Sequence, residues 1–319
     1  MSVPRGPIML GIEGLELTPG DRARITDPRV GGAILFARNF VSSIQLRELT
    51  ASIRALRPEL LTGVDHEGGR VQRFRDDGFT PLPPMRTFGA QWDADPVAAS
   101  AAACDAGETI ARELRAHGID FSFAPVLDLD YAVSSVIGDR AFHVDPVIVA
   151  DLAGALLRGL HAGGAAGVGK HFPGHGYVAA DSHVDTPVDA RMLDEILRTD
   201  IVPFVALMQQ GLEAIMPAHV VYPAIDSRPA GFSPVWIGEI LRGRLGFDGL
   251  VFSDDLDMAG ARSAGDIVAR ADAAIAAGCD VVLLCNDISA MDDLLARWTP
   301  PPQPSLARRW ARMATSWRR

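Results

Sequence analysis

Residues 170–187 form the part of the sequence that is richest in side chains able to do chemistry. The segment reads KHFPGHGYVAADSHVDTP and contains one lysine, three histidines and two aspartates with few apolar residues. A long loop of this composition after a buried strand is more often functional than merely solvated. Asp181 and His183 lie two residues apart, so on an extended chain the carboxylate can orient the imidazole and raise its basicity.

Lys170 stands at the start of that segment and is the only lysine among the 30 lysine and arginine residues of the chain. Its ammonium is a compact point charge that a planar guanidinium does not replace, although a single leftover lysine could also arise by chance. We therefore expect Lys170 to bind hydroxyl groups or an anion on a ligand.

Two further segments place carboxylates directly after apolar stretches. In FSDDLDM (252–258) we expect Asp254 to face the barrel axis at the strand end and Asp255 to brace a loop or a neighbouring side chain; the alternative is that Asp254 caps the next helix. In GVDHEGGRVQRF (63–74) Asp65 ends an apolar run, and the two glycines after it allow a tight backbone path before two arginines, Arg70 and Arg73. A carboxylate beside an arginine suits the binding of sugar hydroxyls.

These residues need elements to position them, and the chain alternates short apolar runs with helical stretches, as in a parallel α/β fold. The predicted strands are 7–12, 31–36, 60–65, 119–126, 166–171, 213–218, 248–253 and 280–285. The predicted helices are 43–57, 95–117, 146–162, 191–210, 234–245 and 262–277. Eight alternations without a glycine-rich phosphate turn favour a single (β/α)8 TIM-like barrel over an open sheet, and the polar residues follow strand ends, where such barrels carry their active sites. We expect one catalytic domain over 1–319, with a basic helical tail at about 304–319.

Composition narrows the function. A formal net charge of −10 argues against a nucleic-acid surface. Three cysteines without metal-ligand spacing are typical of a reducing compartment. The first residues lack the apolar core of a signal peptide, and no segment reaches the ~20 apolar residues of a membrane span. We therefore expect a cytoplasmic protein without a membrane span; the oligomeric state cannot be read from the sequence.

Together these motifs resemble glycoside hydrolase family 3, and within it the bacterial β-N-acetylhexosaminidases of the NagZ type. The resemblance rests on residues spread over most of the chain. They are GVDHEGGRVQRF (63–74), FAPVLDLD (123–130), IGDRAF (137–142), GKHFPGHG (169–176), ADSH (180–183), MPAHVVYP (216–223) and FSDDLDM (252–258). One departure is His66, where the family pattern leads us to expect glutamine.

The resemblance implies a retaining hydrolase that removes terminal β-linked N-acetylglucosamine from muropeptides during peptidoglycan recycling, with consequences for cell shape and division. It implies Asp254 as nucleophile, His183 as acid/base and Asp181 as the partner of that histidine. It further implies no cofactor, no metal and a sugar-contacting set that comprises Asp65, Arg73, Arg140, Lys170 and His171.

Three alternatives remain open at this point. A glycoside phosphorylase could use the same residues, because a neutral histidine does not repel phosphate as a carboxylate would. A metal-dependent hydrolase could use His171, His175, His183 and Asp254 as ligands. A binding protein on an inactive barrel would bind the sugar without turning it over.

Overall fold

A computed structural model gives the structure of residues 5–179 and 187–315, and its centre is a barrel of parallel strands. The strands in chain order are β1 (Ile8–Gly11), β2 (Val30–Leu35), β3 (Leu61–Val64), β4 (His66–Gly68), β5 (Val71–Gln72), β6 (Phe121–Ser122), β7 (Val168–Phe172), β8 (Ala214–Pro217), β9 (Val221–Tyr222), β10 (Asp226–Pro229), β11 (Leu250–Asp255) and β12 (Val281–Leu284). Eight of them form one sheet in the order β6, β3, β2, β1, β12, β11, β8, β7. Bridges from Phe121 to Ala166 and from Val126 to Lys170 join the two ends of this sheet into a nearly closed barrel.

The barrel strands are continuous apolar runs because both of their faces are buried. Along β12, Val281 and Leu283 belong to the cluster inside the barrel, whereas Val282 and Leu284 belong to the layer between barrel and helices. Met9 of β1 lies in the inner cluster between two outward residues in the same way. The eight predicted strands and the (β/α)8 architecture are confirmed. The sequence did not predict the two small hairpins, β4–β5 and β9–β10.

The helices in chain order are α1 (Pro19–Thr26), α2 (Ser43–Leu56), α3 (Arg86–Trp92), α4 (Pro96–Ala116), α5 (Pro146–Ala162), α6 (Leu193–Arg198), α7 (Ile201–Gln209), a π-helix (Val235–Arg244), α8 (Ile267–Ala277), α9 (Ile288–Arg297) and α10 (Leu306–Thr315). The prediction of one helix over 191–210 is wrong, because the chain breaks between α6 and α7. Pro203 has no amide hydrogen and cannot bond to the carbonyl of Thr199, so that turn cannot continue as an α-helix. Asp145 caps the start of α5, because its carboxylate accepts from the amide of Val147 at 2.8 Å.

Helix α10 closes the amino-terminal end of the barrel. Trp310 is fully buried in the inner cluster, with its ring 5.7 Å from that of Phe252 and its indole N–H donating to the Gly6 carbonyl at 3.1 Å. Arg308 and Arg309 form ion pairs with Asp248, which precedes β11. Two arginines of this helix therefore neutralise an acidic residue at the start of β11. None of the helices in the described part of the chain is long and apolar enough to cross a bilayer.

Candidate active site

A cavity of about 500 Å³ opens at the carboxyl ends of the barrel strands. Its wall includes side chains at or just after the carboxyl ends of five different strands: Phe36, Asp65, His171, Asp254 and Asn286. The volume lies in the range of small-molecule binding sites. Because the carboxyl ends of all eight parallel strands meet at one end of a barrel, strand-end residues distant in sequence come together here.

Lys170 is the centre of a buried ionic cluster in this cavity. Its Nζ lies 2.7 Å from Asp65 Oδ1 and 2.6 Å from Glu67 Oε1, and its side chain is only 3% exposed. The other oxygen of Asp65 accepts from Arg73 Nη2 at 3.1 Å. Arg140 binds Glu67 through two parallel hydrogen bonds of 2.9 and 2.8 Å, the fork geometry that guanidinium and carboxylate favour.

The cluster holds both carboxylates in their charged form. Burial alone would raise the pKa of Asp65, but the charges of Lys170 and Arg73 outweigh it and lower the pKa well below its usual range. Glu67 follows the same pattern: burial opposes ionisation, and Arg140 and Lys170 nevertheless lower its pKa. At neutral pH Asp65 is therefore a carboxylate that accepts hydrogen bonds from ligand hydroxyls rather than a proton donor.

His171 is oriented by a buried carboxylate. Asp128 is fully buried, and its Oδ2 lies 2.7 Å from His171 Nδ1. Its other oxygen accepts from the backbone amides of His171 at 3.2 Å and of His175 at 2.7 Å. Since an ionised carboxylate only accepts, Nδ1 of His171 carries the hydrogen. Nε2 is then the ring nitrogen left to meet a ligand.

The end of β11 carries three aspartates with different surroundings. Asp254 lies at the cavity wall, and its Oδ1 accepts from the amide of Asp255 at 2.8 Å. Asp255 and Asp257 both accept from the amide of Cys285 at 3.2 Å, so they tie this loop to the loop after β12. Burial, together with the charges of Asp257 and Asp254, raises the pKa of Asp255 to about 8. Bracing of a loop by Asp255, expected from the sequence, is confirmed, although Asp255 also lines the cavity.

The cavity brings together Asp65, Arg73, Arg140, Lys170, His171 and Asp254, which the sequence had proposed as one site. Asp181 and His183 lie outside the described residues. His66 turns away from the cavity: it is fully buried, and its ring lies 5.5 Å from that of Phe79. This departure from the family pattern therefore lies away from the cavity wall.

The metal-hydrolase alternative gains no support from the described residues. Within 5–179 and 187–315 no three His, Cys, Asp or Glu side chains converge as metal ligands. His171 and His175 have ring centroids 6.0 Å apart, and His171 directs Nδ1 at Asp128.

Sequence reasoning missed the role of Glu67 in the site and the contacts of Arg70. Glu67, which links Lys170 to Arg140, lies two residues after Asp65, and the two-residue period of an extended chain was the signal that it could share a face with that carboxylate. Arg70 lies at the cavity and donates to the carbonyls of Ser135 and Val136. No local sequence pattern predicts these contacts, because the partners of Arg70 are more than 60 residues away along the chain.

Comparison with known proteins gives a consistent result. Residues 12–298 match the model of the "Glycosyl hydrolase family 3 N terminal domain". A protein named beta-hexosaminidase from Chromobacterium violaceum is 60% identical over 315 residues, which cover 98% of this chain and 88% of the relative. A beta-hexosaminidase from Bordetella avium is 60% identical over 302 residues, with 94% and 86% coverage.

Solved structures agree with the sequence relatives. Native NagZ from Neisseria gonorrhoeae superposes with a TM-score of 0.93 at 51% identity and covers 98% of this chain and 90% of its own. The same protein in complex with N-trifluoroacetyl-D-glucosamine superposes with a TM-score of 0.93. The aligned residues cover 98% of this chain and 91% of the chain in that complex.

Proposed function

From its membership of glycosyl hydrolase family 3 and its activity as a glycoside hydrolase of the β-hexosaminidase kind, which removes N-acetylglucosamine, we propose a mechanism for this chain. The glycosidic bond is cleaved with retention of the anomeric configuration through a covalent glycosyl-Asp254 intermediate. The family resemblance found in the sequence motifs is confirmed, because the chain belongs to that family. The roles of individual residues are part of the proposal.

In the first step Asp254 attacks the anomeric carbon while His183 donates a proton to the leaving oxygen. In the second step His183 takes a proton from water, and the hydroxide oxygen displaces Asp254 from the sugar. A histidine with an ordinary pKa near 6.5 can give and take a proton near neutral pH. Asp181 would orient the imidazole.

The observation that carries the proposal is the single cavity that Asp254 shares with Asp65, Lys170 and His171. The ionic cluster supplies fixed hydrogen-bond donors, and the ionised Asp65 supplies an acceptor; both kinds of group bind sugar hydroxyls. This arrangement needs no rearrangement of charge on binding, since each buried carboxylate already has its cations. Arg140 would act mainly by holding Glu67 in place, because two of the N–H donors of Arg140 already bond to that carboxylate.

The test is to substitute Asp254→Ala and His183→Ala and to follow turnover of an aryl β-N-acetylglucosaminide, with mass spectrometry of the protein. We expect Asp254→Ala to lose at least about 10³-fold in kcat. His183→Ala should slow the second step and accumulate protein heavier by one N-acetylhexosaminyl group. Asp248→Asn is the matched control, because Asp248 precedes the same strand at the opposite end of the barrel.

The result that would defeat the proposal is an Asp254→Ala protein with the activity of the Asp248→Asn control. The same reaction run in phosphate buffer distinguishes the phosphorylase alternative, because accumulation of a sugar 1-phosphate would identify phosphate as the acceptor.

We further propose that the natural substrates are muropeptides with terminal N-acetylglucosamine, which places the reaction in peptidoglycan recycling. The proposal is supported by the sequence motifs, and release of N-acetylglucosamine from a purified disaccharide muropeptide tests it. The cytoplasmic location and the single catalytic domain over 1–319 stay predictions.

A further inference from the structure

A cluster of polar residues with a buried ionic centre lies at the base of the excursion that begins at the end of β7. This anchor cluster consists of Tyr131, Tyr177, Asp189, Arg191 and Asp200. Asp189, Arg191 and Asp200 have side chains no more than 5% exposed. The mechanism above does not use any of them. Buried charges are costly unless they are paired, so a triad placed here calls for a role.

Arg191 contacts every other member of the anchor cluster. Its Nη2 donates to Asp189 Oδ2 at 2.7 Å, and its Nη1 donates to Asp200 Oδ2 at 2.7 Å and to the Tyr131 hydroxyl at 3.0 Å. The guanidinium carbon lies 4.0 Å from the centroid of the Tyr177 ring, within the range of a cation–π contact. Burial alone would lower the pKa of Arg191, but the hydrogen bonds to the two carboxylates raise it above its ordinary value.

Through these contacts Arg191 joins the two limbs of the excursion. The outgoing limb includes Gly174, where an added Cβ would come within 2.5 Å of Asp200 Oδ1, and it continues to Tyr177. The returning limb pairs with the β9 hairpin: the amide of Val221 donates to Pro187 and its carbonyl accepts from Asp189, both at 2.9 Å. Tyr177 and Asp189 are each six residues from His183 in the sequence.

We propose that Arg191 is a positioning residue for proton donation, because it clamps Tyr177 of the outgoing limb to Asp189 of the returning limb and so fixes where His183 is delivered. This inference rests on the proposed role of His183 as the acid/base. It assigns no contact with the sugar to Arg191. The clamp depends on the flat fork of the guanidinium, which bonds two carboxylates in its plane while an aromatic ring covers its face.

The test is Arg191→Lys, measured as kcat/KM on two β-N-acetylglucosaminides that differ in leaving group. A 2,4-dinitrophenyl glycoside departs without protonation, whereas a methyl glycoside requires the acid. General acid catalysis typically contributes 10²–10⁴-fold. We expect Arg191→Lys to lower kcat/KM for the methyl glycoside by about 30-fold or more and to change the dinitrophenyl value by less than about 3-fold. A purely structural role would lower both values equally.

Arg242→Lys is the matched control. Arg242 is also a largely buried arginine: it donates to Asp280 at 2.7 Å and to the carbonyls of Phe247 and Gly249, at the opposite end of the barrel. The ratio of the two kcat/KM values should stay at its wild-type level in this variant. Tyr177→Ala is the second test variant, for the case that Arg191→Lys does not fold. Tyr177 is 44% exposed, so the substitution leaves the buried ion pairs of Arg191 in place. We expect it to shift the ratio in the same direction by a smaller factor.

The outcomes separate this inference from the proposed function. A wild-type protein inactive on both glycosides defeats the proposed function. An unchanged ratio in His183→Ala defeats the acid/base assignment and the inference with it. If His183→Ala shifts the ratio while Arg191→Lys and Tyr177→Ala leave it unchanged, the role of Arg191 alone is overturned. If Arg191→Lys does not fold, an unchanged ratio in Tyr177→Ala also overturns the role of Arg191.

Discussion

Replacing Lys170 by methionine tests the cluster on which sugar binding is proposed to depend. The substitution keeps the length of the side chain and removes the charge that lies 2.7 Å from Asp65 and 2.6 Å from Glu67. Removing one partner of a buried ion pair costs about 3–5 kcal/mol. Both carboxylates keep an arginine, Asp65 through Arg73 and Glu67 through Arg140. We therefore expect a loss at the lower end, about 3 kcal/mol in the free energy of unfolding.

The expected change in melting temperature follows from chain length. An unfolding entropy of about 2.1 cal/mol/K per residue gives about 0.7 kcal/mol/K for 319 residues. A loss of about 3 kcal/mol then lowers Tm by roughly 4–5 °C. A hydrogen bond from a charged donor contributes about 1.5–3 kcal/mol, so kcat/KM for an aryl β-N-acetylglucosaminide should fall by about 10- to 150-fold. Calorimetry and initial-rate kinetics measure the two effects.

Two companion variants make the result decisive. Lys170→Arg keeps the charge but crowds a buried site, and we expect it to lose activity as well. Arg57→Met removes another buried cation, one that bonds Glu59 and backbone carbonyls at the far end of the barrel, and should lower Tm without changing KM. The reasoning is refuted if Lys170→Met keeps kcat/KM within about 3-fold of wild type, or if Lys170→Arg matches wild type in both measurements.

Two further predictions concern buried groups away from the cavity. Burial lowers the pKa of His66 to about 3, so His66 stays neutral in the folded protein while it can protonate when unfolded. The contribution of His66 to the free energy of unfolding is therefore fully present above about pH 6.5 and is lost as the pH falls towards about 3. Between pH 7.5 and pH 5 the wild-type protein should lose about 2 kcal/mol of stability through this residue, and His66→Leu should not show that part of the loss in urea unfolding. KM should stay unchanged. Equal acid sensitivity in both proteins would contradict this. Trp310→Ala should cost about 3–5 kcal/mol by emptying the base of the barrel; a loss below about 1 kcal/mol in calorimetry would show that α10 does not stabilise the core.

The barrel could be predicted from the sequence because its determinants are local. A strand buried on both faces must be apolar throughout, and eight such runs with helical stretches between them leave few other architectures. Elements with weaker local signals were missed, such as β4–β5 and β9–β10, whose strands have two to four residues. The break between α6 and α7 had a local signal in Pro203, and the prediction of one helix over 191–210 passed over it.

The position of the site was also predictable, and for a different reason. Barrel topology brings the carboxyl ends of all strands to one end, so polar residues after apolar runs, such as Asp65, Lys170 and Asp254, had to converge. Which of them pair with one another was not predictable, because pairing depends on distances of a few tenths of an ångström between residues far apart in sequence. The contact between Lys170 and Glu67 joins strands that are about 100 residues apart along the chain.

The anchor cluster could not be predicted from the sequence either, because its contacts also depend on the fold and not on a local sequence pattern. The local sequence does not distinguish Arg191 from the other arginines of an arginine-rich chain, or Asp200 from any aspartate beside a helix. Burial is what distinguishes these residues. A guanidinium excluded from water must satisfy its donors within the protein, and Arg191 does so with the carboxylates of Asp189 before α6 and Asp200 after it. A charged group that is hidden and fully bonded resists displacement more than any surface ion pair. The cluster therefore joins Tyr177, on the outgoing limb, to Asp189, on the returning limb, through contacts that are largely shielded from water.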